Sequence, residues 1–174
     1  LDYAVLVISG ADGVQGHVET LWRLLERYHI PVFLFVNKMD QQGTDREALM
    51  RELEKRLDGK CLDFGPLGRA ETDAKGWETF QENLAMCDEA LLEQYLETGE
   101  ISDNAIADLI AARRVFPCYF GSALKLQGVE ELLAGIRSFS RAAEYPEKFG
   151  ARVFKITRDT QGNRLTHMKI TGGS

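Results

Sequence analysis

The sequence has few of the features that mark membrane, secreted or metal-binding proteins. No apolar run approaches the roughly 18 residues that a membrane-spanning helix needs, and the first residues lack the layout of a signal peptide. The three cysteines, Cys61, Cys87 and Cys118, lie far apart and form no CxxC pair. Such a set favours reduced thiols in a cytoplasmic protein over a disulfide framework or a zinc site. We therefore expect no membrane partner and no metal ligands.

The charge distribution is uneven but does not indicate a nucleic-acid-binding protein. The net charge is −6, so the whole chain is not an electrostatic clamp for nucleic acid. Eight acidic residues and no Lys or Arg lie between Glu82 and Asp108, which is typical of a solvated helix face. Five basic residues lie between Arg152 and Lys169. For this segment we favour a solvated strand face over a contact with RNA.

Three short apolar runs predict the strands of a buried parallel sheet. They are Ala4–Ile8, Val32–Val36 and the weaker Phe116–Gly121. Their hydrophobicity is continuous rather than alternating, as expected for strands that are covered on both faces. Segments with helical spacing separate them, for example Leu49, Met50, Leu53 and Leu57. The alternation of strands and helices indicates an α/β fold.

The helices have recognisable ends, and the longest lie in an insert. Thr44 and Glu47 form a capping-box pattern that predicts a helix start. An insert of about residues 59–114 separates the second and third runs and is too long for a simple crossover. Within it we expect helix from Trp77 to Arg114, with a break at Thr98–Gly99 and an N-cap at Ser102. We interpret this insert as a helical subdomain.

The pattern changes near the end of the chain. After Pro146, two apolar–polar alternations flank the turn sequence RDTQGN, which predicts a β-hairpin. We therefore divide the chain into an α/β domain at residues 1–145 and the start of a β-module at 151–174.

The loop after the second strand carries an unusual set of polar side chains. Asn37, Lys38 and Asp40 follow five apolar residues within a stretch of four. In open α/β sheets, ligands bind at the carboxyl ends of the strands. A carboxylate there pairs with the N1–H and the exocyclic amino group of guanine, whereas adenine offers no matching pair of donors. A charge-assisted bond is worth roughly 1.5–3 kcal/mol, so one aspartate can reject adenine.

These residues carry a resemblance to a known family. FVNKMD resembles the N-K-x-D guanine-specificity motif of GTPases, and GSALK resembles their second base-contacting loop. LDYAVLVISGADGVQGHVETLWR and ARVFKITRDTQGNRLTHMKITGG extend the similarity over nearly the whole chain. They are similar to translational GTPases of the elongation factor G type, and most to tetracycline-resistance ribosomal protection proteins. The resemblance implies part of a P-loop GTPase G domain, then the first hairpin of a β-barrel domain.

The resemblance also implies a role for each residue of the two loops. Asp40 would pair with guanine N1–H and N2–H, and Asn37 would bind near N7 and join the loops. Lys38 would pack against the base and ribose. Ser122 would support Asp40, and the Ala123 N–H would meet guanine O6. The alternative is a plain capped turn before the next helix, which leaves the GSA loop without a purpose.

The motifs for phosphate binding and hydrolysis are absent from the sequence. There is no G-x-x-x-x-G-K-[ST] segment, because Gly59–Lys60 is followed by Cys61 and lacks the upstream glycine. Gly16–His17 does not match the family's switch, since no Pro precedes Gly16. We interpret His17, and likewise His29 and His167, as surface residues without a partner. The ligands of Mg²⁺ and the catalytic residues would then lie outside this chain.

We therefore expect a fragment of a cytoplasmic, ribosome-associated protein that binds GTP and GDP. The whole protein would dislodge tetracycline or, alternatively, promote translocation as elongation factor G does. A P-loop-less binding or interaction module without GTPase activity is the alternative from another class. In the implied topology the P-loop strand neighbours Ala4–Ile8. Without it that strand is an open edge, so we also expect self-association through this edge or the hairpin.

Overall fold

The computed structural model describes residues 1–65 and 74–173, which divide into two compact units. The first unit is Leu1–Arg141 and the second is Ala142–Ser174. Residues 66–73 of the predicted insert and Ser174 of the predicted β-module lie outside the described residues. Along the described chain, strands and helices alternate in the first unit, and the second contains a pair of strands.

The first unit is built on a four-stranded parallel sheet. Its strands are β1 (Ala4–Ser9), β2 (Val32–Asn37), β3 (Cys61–Asp63) and β4 (Phe116–Phe120), in the order β1-β2-β4-β3. Every pairing is parallel, with Ser9 opposite Asn37 and Val36 opposite Phe120. The predicted α/β fold with a parallel sheet is therefore confirmed. Because β2 and β4 are neighbours, the loops that follow them leave the same edge of the sheet side by side.

Burial differs between the central strands and β1. The side chains of β4 are all buried, as are those of β2 up to Val36, which matches their continuous apolar runs. In β1, Leu6 and Ile8 are buried, but Val5 and Val7 retain 44% and 55% of their exposure. The expectation that β1 is covered on both faces is therefore wrong. In the part of the chain that the structure describes, β1 pairs only with β2 and forms the edge of the sheet.

Two hydrophobic clusters lie on the two faces of the sheet, because successive residues of a strand point to opposite sides. Leu34 and Val36 belong to the cluster that includes Val18 and Trp22 of helix α1 (Gly16–Arg27) and Leu53 of helix α2 (Arg46–Arg56). Phe33 and Phe35 belong to the other cluster. The helices that follow α2 are α3 (Ala74–Ala85), α4 (Glu89–Thr98), α5 (Asp103–Ala111) and α6 (Val129–Phe139). The second cluster includes Leu132 and Phe139 of α6 together with residues of α3 to α5.

Short polar side chains set the helix starts, with one departure from the sequence prediction. Ser102 caps α5 as predicted, since its side chain accepts the Ala105 N–H. Helix α2 is capped by Asp45, which accepts the Ala48 N–H at 2.9 Å. Thr44 is not the cap; its hydroxyl donates to carbonyl groups of the preceding loop. An N-cap of this kind is worth about 1 kcal/mol.

The insert contains more than the predicted helix. Its described part begins with β3, which pairs with β4 and so belongs to the main sheet. The predicted break at Thr98–Gly99 is present, with Gly99 in the left-handed conformation at φ 73°. A second break between α3 and α4, where Asp88 caps α4, was not predicted. Phe64, Phe80 and Leu84 pack in the same cluster as Phe33, so the insert shares the core of the first unit.

The second unit is a β-hairpin. Strands β5 (Gly150–Arg158) and β6 (Arg164–Gly172) pair antiparallel, as the alternating pattern predicts. Asp159 closes the turn by accepting the N–H groups of Gln161 and Asn163 at 2.9 and 2.8 Å. His167 is not without a partner, which corrects the sequence interpretation: its Nε2 lies 2.7 Å from the Thr157 hydroxyl.

Candidate guanine-binding loops

Two polar loops meet at the carboxyl end of the sheet. The first follows β2 and contains residues 37–40; the second follows β4 and contains residues 121–125. Backbone hydrogen bonds join them, because the Met39 N–H donates to the Gly121 carbonyl at 3.0 Å and the Gly121 N–H to the Val36 carbonyl at 2.9 Å. The sheet topology thus brings together all five residues that the sequence singles out.

Asn37 holds the two loops together through its side chain. Its Oδ1 accepts the backbone N–H of Lys38 and of Ala123, each at 2.8 Å. The Ala123 N–H, which the resemblance assigns to guanine O6, therefore has an acceptor inside the protein. In the described part of the chain, the hydrogen bonds of the Asn37 side chain are made by Oδ1 and not by Nδ2. A ligand that accepts a hydrogen bond can use that group.

Lys38 adopts an uncommon backbone conformation. Its φ is +64°, in the left-handed region that residues other than glycine seldom enter. Such a conformation costs about 1 kcal/mol and persists where the surroundings hold it. Here the hydrogen bond from its N–H to Asn37 Oδ1 holds it, and the side chain is exposed. Strain of this kind, held by a neighbouring side chain, is typical of ligand-binding loops.

Asp40 lies beside two donors from the second loop. Lys125 Nζ is 3.0 Å from Asp40 Oδ2, and the Asp40 side chain retains 23% of its exposure. The hydrogen bond from Lys125, and then that from Ser122, lowers the pKa of Asp40 below its ordinary value. The carboxylate is therefore ionised at neutral pH. In the ionised form both oxygens only accept hydrogen bonds, whereas a protonated carboxyl would also donate one.

Ser122 is fixed by a tight turn. It is 2% exposed, and its N–H and carbonyl both pair with Gln127 at 3.0 Å. Gly121 allows this close return of the chain, since a Cβ there would lie 2.0 Å from the Gln127 carbonyl oxygen. Gly128 contributes in the same way, with φ +74° and its Cβ position 2.3 Å from the Phe120 carbonyl oxygen. The glycines flanking SALKLQ thus shape the loop.

A third loop, which sequence reasoning did not assign to the site, packs against the first. The Gly10 N–H donates to the Asn37 carbonyl at 2.7 Å, and a Cβ on Gly10 would lie 2.9 Å from Met39 Sδ. Glu52 of α2 accepts the Val14 N–H at 3.1 Å and so holds the far end of this loop. The apolar run that ends before Gly10 was the available signal for this loop. It predicts a parallel strand, and the loop after such a strand leaves the sheet at the same edge as the loops after β2 and β4.

A cavity of about 380 Å³ lies next to the junction but does not include the polar groups. It is lined by Met39, Gly121 and Arg46, among others, and neither Asn37 nor Asp40 is in its wall. The Arg46 guanidinium is committed to Asp63 by two hydrogen bonds of 2.6 Å. This cavity is therefore separate from the polar groups of Asn37 and Asp40.

Other sequence candidates are placed as follows. His17 is exposed on α1, and His29 is exposed just after it with φ +52°. Within residues 1–65 and 74–173, no group of three or more His, Cys, Asp or Glu side chains is placed to hold a metal ion. Over the same residues, no helix is both long and apolar enough to cross a bilayer.

Comparison with known proteins identifies the family. Residues 1–141 match the family described as "Elongation factor Tu GTP binding domain". The chain belongs to this family. An oxytetracycline resistance protein from Streptomyces rimosus is 33% identical over 193 residues, covering 100% of this chain and 29% of that protein. Elongation factor G 2 from Syntrophus aciditrophicus is 28% identical over 235 residues, covering 99% of this chain and 35% of that protein.

A solved structure supports the fold of this elongation factor Tu-type GTP-binding domain. The crystal structure of a Thermus thermophilus protein designated ttk003000868 matches with a TM-score of 0.80 and 24% identity, over 99% of this chain and 32% of that chain. The family match and the two relatives confirm the resemblance to translational GTPases of the elongation factor G type. The chain spans about a third of the length of the relatives it matches.

Proposed function

We propose that this chain is the guanine-recognition part of a ribosome-associated translational GTPase. The observation that carries the proposal is the junction of the two loops, where Asn37 Oδ1 meets the Ala123 N–H at 2.8 Å. Asp40 lies at the same junction, beside Lys125 and Ser122. An amide, an ionised carboxylate and backbone donors at the carboxyl end of a parallel sheet suit a planar base with both donors and acceptors.

The proposed contacts follow from the groups that each residue offers. Asp40 accepts guanine N1–H and N2–H, while Ser122 holds the carboxylate. Asn37 uses Nδ2 toward N7, and the stem of Lys38 lies along the base and ribose. The Ala123 N–H donates to guanine O6. Because this N–H already donates to Asn37 Oδ1, it must either donate to both oxygens at once or reorient toward the base.

Adenine is rejected because it cannot pair with the carboxylate. It has no donor at N1, and its amino group lies where guanine has O6. A hydrogen bond to a charged group contributes about 1.5–3 kcal/mol. Adenine does not form this bond, yet it still displaces water from Asp40. A preference of tenfold or more for guanine therefore needs only one lost bond of about 1.4 kcal/mol.

Phosphate binding needs residues outside these 174. The sequence contains no G-x-x-x-x-G-K-[ST] segment, whose backbone N–H groups and lysine supply most contacts to GTP or GDP together with Mg²⁺. We propose that this chain acts as part of a longer protein that supplies them. The lengths of the relatives support this, since each is about three times as long as the aligned chain.

For the whole protein we propose ribosomal protection against tetracycline. The oxytetracycline resistance protein is 33% identical along the full length of this chain, against 28% for elongation factor G 2. Translocation, as in elongation factor G, is the second candidate. In either case the protein works at the ribosome in the cytoplasm and changes its affinity with the bound nucleotide.

An interaction module without GTPase activity is the candidate from another class. The absence of a P-loop from this sequence is the observation that favours it. The meeting of the two loops argues against it, because a plain turn leaves the hydrogen bond from the Ala123 N–H to Asn37 Oδ1 without a purpose. Base selectivity separates the two, since an interaction module has no reason to prefer guanine.

We also propose that the open edge of β1 associates with a second copy of the chain. Val5 and Val7 on this strand keep 44% and 55% of their exposure, and in the described chain β2 is its one paired neighbour. Unpaired N–H and C=O groups beside apolar side chains are a template for strand pairing.

Base selectivity is the decisive test of the function. Titration of the chain with guanosine and adenosine, followed by NMR shifts of the two loops, should reveal binding of guanosine alone. The Kd should be about millimolar, because base contacts alone are available. GDP and GTP should bind no more than a few times tighter. Equal binding of adenosine, or shifts outside residues 37–40 and 121–125, would exclude the proposal.

A further inference from the structure

We propose that Lys125 is a displaceable counter-ion of Asp40 that must leave the carboxylate when a guanine base binds. The inference rests on the proposed function and deepens it, because it names a residue that sets the strength of base binding. Its basis is the 3.0 Å contact between Lys125 Nζ and Asp40 Oδ2 in the ligand-free chain. Nothing in the N-K-x-D or S-A pattern assigns a role to this lysine.

The oxygens of the Asp40 carboxylate are the groups for which Lys125 and a base compete. The Lys125 ammonium already lies 3.0 Å from Oδ2. Guanine presents two donors, N1–H and N2–H, and a paired carboxylate accepts them with both of its oxygens at once. Lys125 and guanine therefore need the same oxygen.

Lys125 is the donor that can leave. Ser122 is 2% exposed and its N–H and carbonyl both pair with Gln127, so the turn fixes its place beside Asp40. The Lys125 side chain is 54% exposed and ends a flexible four-carbon stem, so water can solvate its ammonium at once.

The consequence is a competition inside the loop. When no base is bound, the Lys125 ammonium pairs with the Asp40 carboxylate. When guanine arrives, its two neutral donors replace one charged donor. Binding is therefore weaker than it would be to an unpaired Asp40, and it becomes stronger when salt screens the ion pair.

The test compares Lys125→Met with the unchanged chain, using guanosine as a neutral probe. Lys125→Met should bind guanosine about twofold to fivefold more tightly, the range that corresponds to an exposed ion pair. For the unchanged chain, raising NaCl from about 0.05 M to about 0.5 M should also tighten binding, while Lys125→Met should respond little. Lys125→Arg should show no gain, because it keeps the cation. Lys155→Met, on the hairpin, removes the same charge and serves as the control.

The alternative outcomes are distinct. If Lys125→Met binds guanosine equally or more weakly while guanosine is still preferred over adenosine, Lys125 positions Asp40 or does nothing, and the inference is wrong although the proposed function stands. A gain that Lys155→Met reproduces is a general charge effect and also overturns it. If no variant prefers guanosine, the proposed function fails and the inference fails with it.

Discussion

Asn37 and Ala123 are 86 positions apart in the sequence and are joined by a 2.8 Å hydrogen bond from the Ala123 N–H to Asn37 Oδ1. The same oxygen accepts the Lys38 N–H at 2.8 Å. One amide oxygen therefore holds a strained backbone in one loop and positions the next. For the proposed binding of guanine, this arrangement reduces the ordering that binding has to offset.

Replacing Asn37 tests this organisation. In Asn37→Ala two N–H groups lose their acceptor, but both are exposed enough for water to take its place. We expect the free energy of unfolding to fall by about 1 kcal/mol. Guanosine binding should fall below detection, because both loops lose their positions. Urea unfolding and NMR titration measure the two effects.

Asn163→Ala is the matched control for that change. Asn163 likewise joins two parts of a loop, because its backbone N–H and its Nδ2 both donate to the Asp159 carboxylate in the hairpin turn. Asn163→Ala should lower the stability of the hairpin and leave the affinity for guanosine unchanged. Guanosine binding by Asn37→Ala at the level of the unchanged chain would show that the amide is not needed for the site.

Asp40→Asn tests base selectivity directly. The amide places a donor where the carboxylate had an acceptor, and xanthine has a carbonyl where guanine has its amino group. We expect the preference for guanosine over xanthosine to reverse, by about tenfold, as one hydrogen bond is exchanged for a mismatch. Asp45→Asn removes the same charge at the N-cap of α2 and should leave the preference unchanged, since asparagine also caps helices. Unaltered selectivity in Asp40→Asn would remove Asp40 from the site.

The titration of Asp40 gives a prediction that needs no ligand. Hydrogen bonding by Lys125 and then Ser122 holds its pKa below the ordinary value of 3.8. The ionised form thus stabilises the fold above that value, and this contribution is lost as the pH falls through the folded pKa. Lys125→Met should move the pKa upward, and the stability difference between the two proteins should shrink at pH values below 3.8.

Carbon-13 NMR of the carboxyl groups, followed from about pH 2 to about pH 6, measures this shift. Asp159 is an internal control, because Asn163 and the hairpin turn lower its pKa and Lys125 does not contribute. Its titration should be identical in both proteins. An unshifted Asp40 would mean that the 3.0 Å contact does not persist in solution.

Much of the sheet was predictable, and the exceptions have physical reasons. Strands β2 and β4 were evident because both of their faces are buried, so their sequences are continuously apolar. Strand β3 was missed because Cys61–Asp63 is three residues of mixed polarity that become a strand only by pairing with β4. The exposure of Val5 and Val7 was missed because an apolar run does not reveal whether a helix covers it.

Within the two loops, the sequence predicted some contacts and missed others. Asn37 joins the loops as the resemblance implies, whereas the contact of Asp40 with Lys125 was not predicted. The contact of Asp40 with Lys125 depends on the turn that brings Ser122 back to Gln127, which no periodicity encodes. The Thr44 cap was wrong because Asp45 competes for the same helix start and accepts the Ala48 N–H instead.

The packing of α6 on the sheet depends on a glycine. A Cβ on Gly135 would lie 1.8 Å from the Tyr119 hydroxyl oxygen and 2.6 Å from Cζ of that ring. Gly135→Ala should therefore destabilise the chain by about 1–3 kcal/mol, despite the roughly 1 kcal/mol that alanine contributes to a helix. Gly16→Ala on α1 meets nothing within 4 Å and should be neutral or stabilising. Urea unfolding compares them, and equal effects at the two positions would contradict the packing argument.

Self-association is expected to depend on the edge of β1. An unpaired strand edge with exposed Val5 and Val7 can pair with another chain, so the average mass from light scattering should rise with concentration. Val7→Lys places a charge on this edge and should shift the chain toward the monomer. Ile156→Lys places a charge on the hairpin, where Ile156 is 53% exposed. If this variant also becomes more monomeric, the hairpin takes part in association; if only Val7→Lys does, association runs through the edge of β1. A well-folded monomer at every concentration, with fast amide exchange along Ala4–Ser9, would show that water alone satisfies the open edge.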